Sequence, residues 1–148
     1  MTSPRFLTTA ALIALLIAST ALAHVTKEVG DGAYSVTLGF VAAPLYAGQV
    51  EQVEVSVTNH AGEGVDGLAA SLRAVILAPG GAELELPLRA VRNQPGQYLV
   101  DFIPTVAGVY DVRIYGFVGE YEFDEVFSGV DMVHADPVVN DPASISVP

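Results

Sequence analysis

Hydrophobic and polar residues alternate with a period of two along most of this chain. Tyr34, Val36, Leu38 and Phe40 are separated by small or polar residues, and Val53, Val55 and Val57 by Glu54 and Ser56. Such runs predict half-buried strands, because successive side chains of a strand point to opposite faces. Residues 68–78 form a third run that stops at the turn sequence Pro79-Gly80-Gly81. Leu84, Leu86 and Leu88 alternate with Glu83, Glu85 and Pro87. The proline has no N–H to give to a ladder, which predicts an edge strand. Beyond a turn at 93–96 come Tyr98, Val100 and Phe102, then Tyr110, Val112 and Ile114, then a last run from Tyr121 to Phe127. Residues 25–29 predict a short first strand, joined by a tight turn at Gly30-Asp31-Gly32 to the strand that begins at Ala33. No stretch beyond residue 23 has a helical period. Seven core strands at short spacing predict an all-β, immunoglobulin-like two-sheet β-sandwich over residues 24–130. A partly irregular tail, 131–148, follows it.

The first 23 residues follow another pattern. Arg5 is the only charge before Lys27, residues 6–18 are apolar apart from two threonines, and the segment ends Ala21-Leu22-Ala23. A charged start, an apolar stretch of about a dozen residues and an A-x-A site are the layout of a secretory signal peptide, 1–23. The stretch is shorter than the roughly 20 residues of a membrane span, and no cysteine follows it to take a lipid anchor. The expected product is a periplasmic or extracellular domain that begins at His24 and is not inserted in a membrane after cleavage.

Charge and cysteine content narrow the function. The chain has 17 acidic and six basic residues, a formal net charge of -11, and every acidic residue lies beyond the leader. Such a surface repels nucleic acid and anionic lipid. The absence of cysteine excludes disulfides, thiolate chemistry and every cysteine-based metal site.

The segment from Gly96 to Val112, with Tyr98, Val100, Phe102, Pro104, Gly108 and Tyr110 at fixed spacing, resembles the G-x-Y-x-V-x-F-x-P…A-G-x-Y-x-V signature of filamin-type immunoglobulin-like domains. The resemblance implies the fold and leaves function open. In it Tyr110 is expected as a corner tyrosine, its hydroxyl returning to nearby backbone.

His24 carries the candidate chemistry. A histidine that starts a chain has two nitrogen donors. Its α-amino group, with a pKa of about 7.7–8.0, yields its proton readily to a metal. The imidazole Nδ1 can close a chelate ring with that amine. Nitrogen ligands in a tetragonal arrangement suit Cu(II), which heads the divalent affinity order. The arrangement is similar to that of exported copper-binding proteins of the CopC type and of YtkA-like domains, which are cysteine-free immunoglobulin-like sandwiches beginning with histidine. The resemblance implies a copper cofactor and carries over one ligand, His24. The H-A-x-L…P opening and the methionine-rich loop of CopC proteins are missing; this chain reads His24-Val-Thr-Lys-Glu, and Met132 is its only methionine besides Met1.

Two other histidines exist, His60 and His134. If every connection reverses direction, His24, the 79–81 turn, the 104–108 corner and the exit of the last strand share one end of the sandwich. His60 then lies at the opposite end. His134 falls just past the last strand, on the His24 side, with Asp131, Met132 and Asp136 near it in sequence. The expected metal ligands are therefore His24, His134, Asp131 and Met132, with the ring nitrogens of the two histidines within about 4–5 Å of each other. Glu120, Glu122 and Asp124 share one strand face, and a solvated face explains them better than a Ca²⁺ site, which draws six or more oxygens mostly from loops.

Enzyme signatures are absent. There is no nucleophile elbow, no glycine-rich phosphate loop and no His-Glu-x-x-His. Polysaccharide-attacking copper oxygenases also begin with histidine on a β-sandwich, but resemble this chain only at His24. The expectation is an exported, non-enzymatic protein that binds or carries copper. The competing expectation is a metal-free interaction module that holds another envelope or membrane protein.

Overall fold

The structure is a computed structural model that describes residues 24–132 and 139–141. The leader lies outside the described residues. The strands are β1 (Val25–Val29), β2 (Tyr34–Phe40), β3 (Leu45–Tyr46), β4 (Glu51–Asn59), β5 (Leu72–Leu77), β6 (Glu83–Pro87), β7 (Arg89–Ala90), β8 (Gln97–Phe102), β9 (Asp111–Val118), β10 (Tyr121–Phe127) and β11 (Val139–Asn140). One sheet has the order β1-β2-β4-β8-β7 and the other the order β10-β9-β5-β6. Neighbours in both are antiparallel. The chain changes sheet between β4 and β5, between β6 and β7, and between β8 and β9. That is the Greek-key plan of an immunoglobulin-like sandwich, with β1 and β6 as additional edges.

The period of two becomes burial at once. Val36, Leu38 and Phe40 of β2, Val53, Val55 and Val57 of β4, and Tyr98, Val100 and Phe102 of β8 line one inner face. Leu72, Ala74 and Ile76, Val112 and Ile114, and Phe123 and Phe127 line the other. Burying each such Val, Leu or Phe contributes about 1.5–3 kcal/mol, the main term holding a chain without disulfides. Phe102 sits between Phe40 and Tyr110, with ring centroids 6.4 and 6.0 Å away.

Two tyrosines close the loops. Tyr110 Oη donates to Val106 O at 3.0 Å and accepts the Val106 N–H at 3.3 Å, the corner expected of it. Tyr98 Oη does the same at the other end, donating to Val65 O at 2.6 Å and accepting the Leu68 N–H at 3.2 Å. That contact explains a departure from the periodicity. Only 72–77 of the 68–78 run is a strand; Leu68–Ala70 is a 3₁₀ turn entered from Gly67 at φ 82. Its backbone is satisfied by the tyrosine and not by a ladder. Gly116 is required where β9 meets this turn: at φ 131, an added Cβ would stand 2.0 Å from Ser71 O.

Edge position overrides pattern in β6. It pairs with β5 alone, and Leu84 is 53% exposed although it alternates like a core strand residue. The segment after β10 holds a one-turn helix, Gly129–Met132, and then β11, which pairs in parallel with β3. Met132 and Val139 are fully buried, so this segment contributes to the domain core. Among the described residues no helix is long and apolar enough to cross a membrane.

Candidate metal site at the head of the first strand

His24 immediately precedes β1. Val25 pairs with Leu38, so His24 falls opposite Gly39, and Gly39 in turn pairs with Glu54 of β4. Paired residues share a face. Leu38 and Val55 point into the core, so His24 and Glu54 point out. The middle strand offers only a glycine in this row, and no β2 side chain separates the other two. His24 Nε2 lies 3.8 Å from Glu54 Oε2, with both side chains 40% exposed.

The surrounding face is polar and internally paired. In the next row Thr26 and Thr37 share a hydroxyl hydrogen bond of 2.8 Å, and Gln97 Nε2 donates to Ser56 Oγ at 2.8 Å. On the other side Asp101 accepts from Gln52 Nε2 at 2.6 Å and from Arg89 Nε and Nη2 at 3.1 Å. The Gln52 hydrogen bond, then Arg89, hold the Asp101 carboxyl below its ordinary value. Asp101 is thus committed within the sheet, and Glu54 is the carboxylate that faces His24. The Glu54 carboxylate thus stands on the Nε2 side of the ring, away from Nδ1. Nδ1 is the nitrogen that a terminal chelate uses.

The other candidate ligands are placed as follows. Asp131 is exposed on the one-turn helix. Met132, next to it in sequence, is fully buried, and its thioether packs in the hydrophobic core. His134 and Asp136 lie outside the described residues, and so does the His24–His134 distance. His60 stands at the opposite end, beside Tyr34, Glu120 and Tyr121. Asp124 is bound to Arg113 at 2.6 and 2.7 Å. Among the described residues no three His, Asp or Glu side chains come together as a preformed cation site. The signal for Glu54 was present in the sequence as a carboxylate on the polar side of the Val53–Val57 alternation, but finding it needs the register of two ladders.

No family model matches the chain, and no curated protein sequence matches it. Among solved structures, the filamin domain of Lin-41 aligns with 62% of this chain and 89% of its own length, at 14% identity and a TM-score of 0.44. A DUF4785 family protein of Legionella pneumophila aligns with 65% of this chain and 27% of its own length, at 9% identity and a TM-score of 0.43.

Proposed function

We propose that this protein is exported, starts at His24 once the leader is removed, and binds Cu(II) at that terminus without catalysing a reaction. The observation that supports this best is the Glu54 carboxylate 3.8 Å from His24 Nε2, reached across Gly39. Cleavage after Ala23 creates the free amine, and the amine and Nδ1 close a chelate. Glu54 stands on the side of the ring's other nitrogen, where a carboxylate would steady a metal-bound histidine once it closed to hydrogen-bond distance. The His24 amine and imidazole would hold the ion, and such nitrogen donors suit Cu(II) above other divalent first-row ions. Asp131 and His134 are candidates for further positions. The core placement of Met132 withdraws the soft ligand that Cu(I) would need, which favours Cu(II). The resemblance to CopC-type and YtkA-like domains points the same way, toward carrying or buffering copper in the periplasm or outside the cell.

The test is one added residue. Protein that begins at His24 and protein with a single alanine before it are titrated with Cu(II) by visible absorption. The extended form is expected to keep its circular dichroism spectrum and lose most of its affinity. Equal affinities would remove the terminal chelate.

A further inference from the structure

The His24 end of the sandwich is also its apolar end. Val41, Val50, Leu84, Ile103, Val106 and Val130 are exposed there, up to 67% for Val50, whereas the His60 end exposes Phe117 and Tyr121. Single exposed aliphatics are ordinary on any protein. Here three of them, Leu84, Ile103 and Val106, line two joined depressions.

The first depression is a slot of about 160 Å³ between the sheet edges. Its floor is Ile76, Phe102 and Tyr110, its walls are Leu84 and Ile103, and Glu83 stands at the rim. The slot follows from the topology. β7 pairs only with Leu99 and Tyr98, so nothing continues that edge alongside the end of β8. The second, an open depression of about 520 Å³ lined by Ala47, Val106 and Asp141, shares Thr105 with the first.

Charge selects the occupant. The loops at this end, residues 41–50, 78–82, 103–110, 128–132 and 139–141, contain no lysine or arginine. Glu83, Asp131 and Asp141 make the same end acidic.

We propose that this end docks a segment of a partner protein that carries one large apolar side chain flanked by lysine or arginine. The apolar group enters the slot; a dry cavity of roughly 150 Å³ already holds benzene, so one leucine or phenylalanine side chain fits. The flanking cations meet the acidic rim, which sets specificity and speeds encounter. A second copy of this chain would bring acid against acid with no loop cation to offset it, and an anionic membrane is repelled for the same reason. This surface does not depend on the metal.

The probe is a display library of random twelve-residue peptides, selected on the purified protein and counter-selected on its Ile103→Asp variant. Enriched peptides are expected to pair a large apolar residue with lysine or arginine. Synthesised and titrated by fluorescence anisotropy, they should weaken at least tenfold with Ile103→Asp or Glu83→Lys and weaken as salt rises. Phe117→Asp and His24→Ala should leave binding unchanged, which separates this surface from the copper reading. Ile103 and Glu83 are exposed, and circular dichroism of both variants should match the parent. The proposal is overturned by no enrichment over the counter-selection, by acidic consensus peptides, or by binding indifferent to Ile103→Asp. A dimer in sedimentation velocity that Ile103→Asp dissolves, or co-sedimentation with phosphatidylcholine vesicles, would also overturn it in favour of a second copy or a lipid surface.

Discussion

The two ends of the sandwich are made from the same strands and finished in opposite ways. At the His60 end the loops turn their polar groups inward. Asn59 Oδ1 accepts the N–H groups of Ala61 and Glu63 at 3.0 Å, and its Nδ2 donates to the Glu63 carboxylate at 2.9 Å. Asp66 Oδ1 accepts the Gly96 N–H at 2.9 Å, and Tyr98 ties down the 65–68 backbone. The Tyr121 ring lies against Gly30 so closely that a Cβ there would stand 2.7 Å from Cγ. At the His24 end the backbone is held as well, by Tyr110 and by Glu51, which accepts the Tyr46 N–H at 3.0 Å. Beside them, His24 and Glu54 face outward together at 3.8 Å, and the aliphatics Leu84 and Ile103 stand around an open slot. A loop cluster that satisfies its own polar groups serves stability. One that holds its backbone still while presenting unlike side chains is suited to meet something else.

The largest effect expected from breaking this contrast is at Phe102, which belongs to the core and to the slot floor. Phe102→Ala should destabilise the protein by about 3–5 kcal/mol in urea unfolding, the range for truncating a buried aromatic. A loss below about 1 kcal/mol would mean the His24 end is loosely packed. Next come the two tyrosine hydroxyls. Tyr98→Phe removes the hydroxyl that pairs Val65 O and the buried Leu68 N–H and should cost about 1–3 kcal/mol. Amide exchange is expected to accelerate at Leu68 and to remain slow at Val106. Tyr110→Phe should reverse that pattern with a smaller loss, since its bonds are longer.

The third comparison sets Glu54 against His60. Glu54→Gln should weaken Cu(II) binding by about tenfold, at the low end for losing a carboxylate behind a metal-bound histidine. His60→Ala should leave the isotherm where it was. If His60→Ala is the variant that weakens binding, the site belongs to the other end.

The smallest effect is on pH. Hydrogen bonds from Arg113 hold the Asp124 carboxyl below its ordinary value of 3.8, and Gln52 and Arg89 do so for Asp101. Folded-state values below the unfolded ones mean that the stabilisation is fully present above about pH 4 to 5 and is lost as pH falls through the lowered values. Thermal midpoints should therefore decline modestly below pH 4, and Arg113→Gln should flatten part of that decline. Both pairs are exposed, so the change stays small.

Much of the fold was legible because alternation is a local property. Whether Val36 and Val53 face the core follows from their own strands, and the A-G-x-Y spacing announced the Tyr110 corner. The division of ends was legible too: reversing direction at each connection puts His24 with the 104–108 corner and His60 away from both, as the ladders do. The candidate site was half legible. His24 is marked by the A-x-A sequence before it, but Glu54 lies 30 residues on and meets it only through two registers and a glycine. Asp131 and Met132 look like a pair in sequence. In a helical turn successive side chains diverge by about 100°, and one is exposed while the other is in the core.

The sequence by itself determined which residues can be strand, which face of each strand is apolar, and that no thiol takes part. The tertiary structure alone decided which apolar faces are covered. Pro87 already marked β6 as an edge, but that Leu84 stays 53% exposed while Val53, which alternates alike, is buried beneath the second sheet is set by packing. It also decided which carboxylate stands beside His24, and that a two-residue β7 leaves a slot between the sheets. Each of these depends on what lies across a ladder or across the core, and such neighbours are set by contacts between residues far apart in the chain, which no local period records.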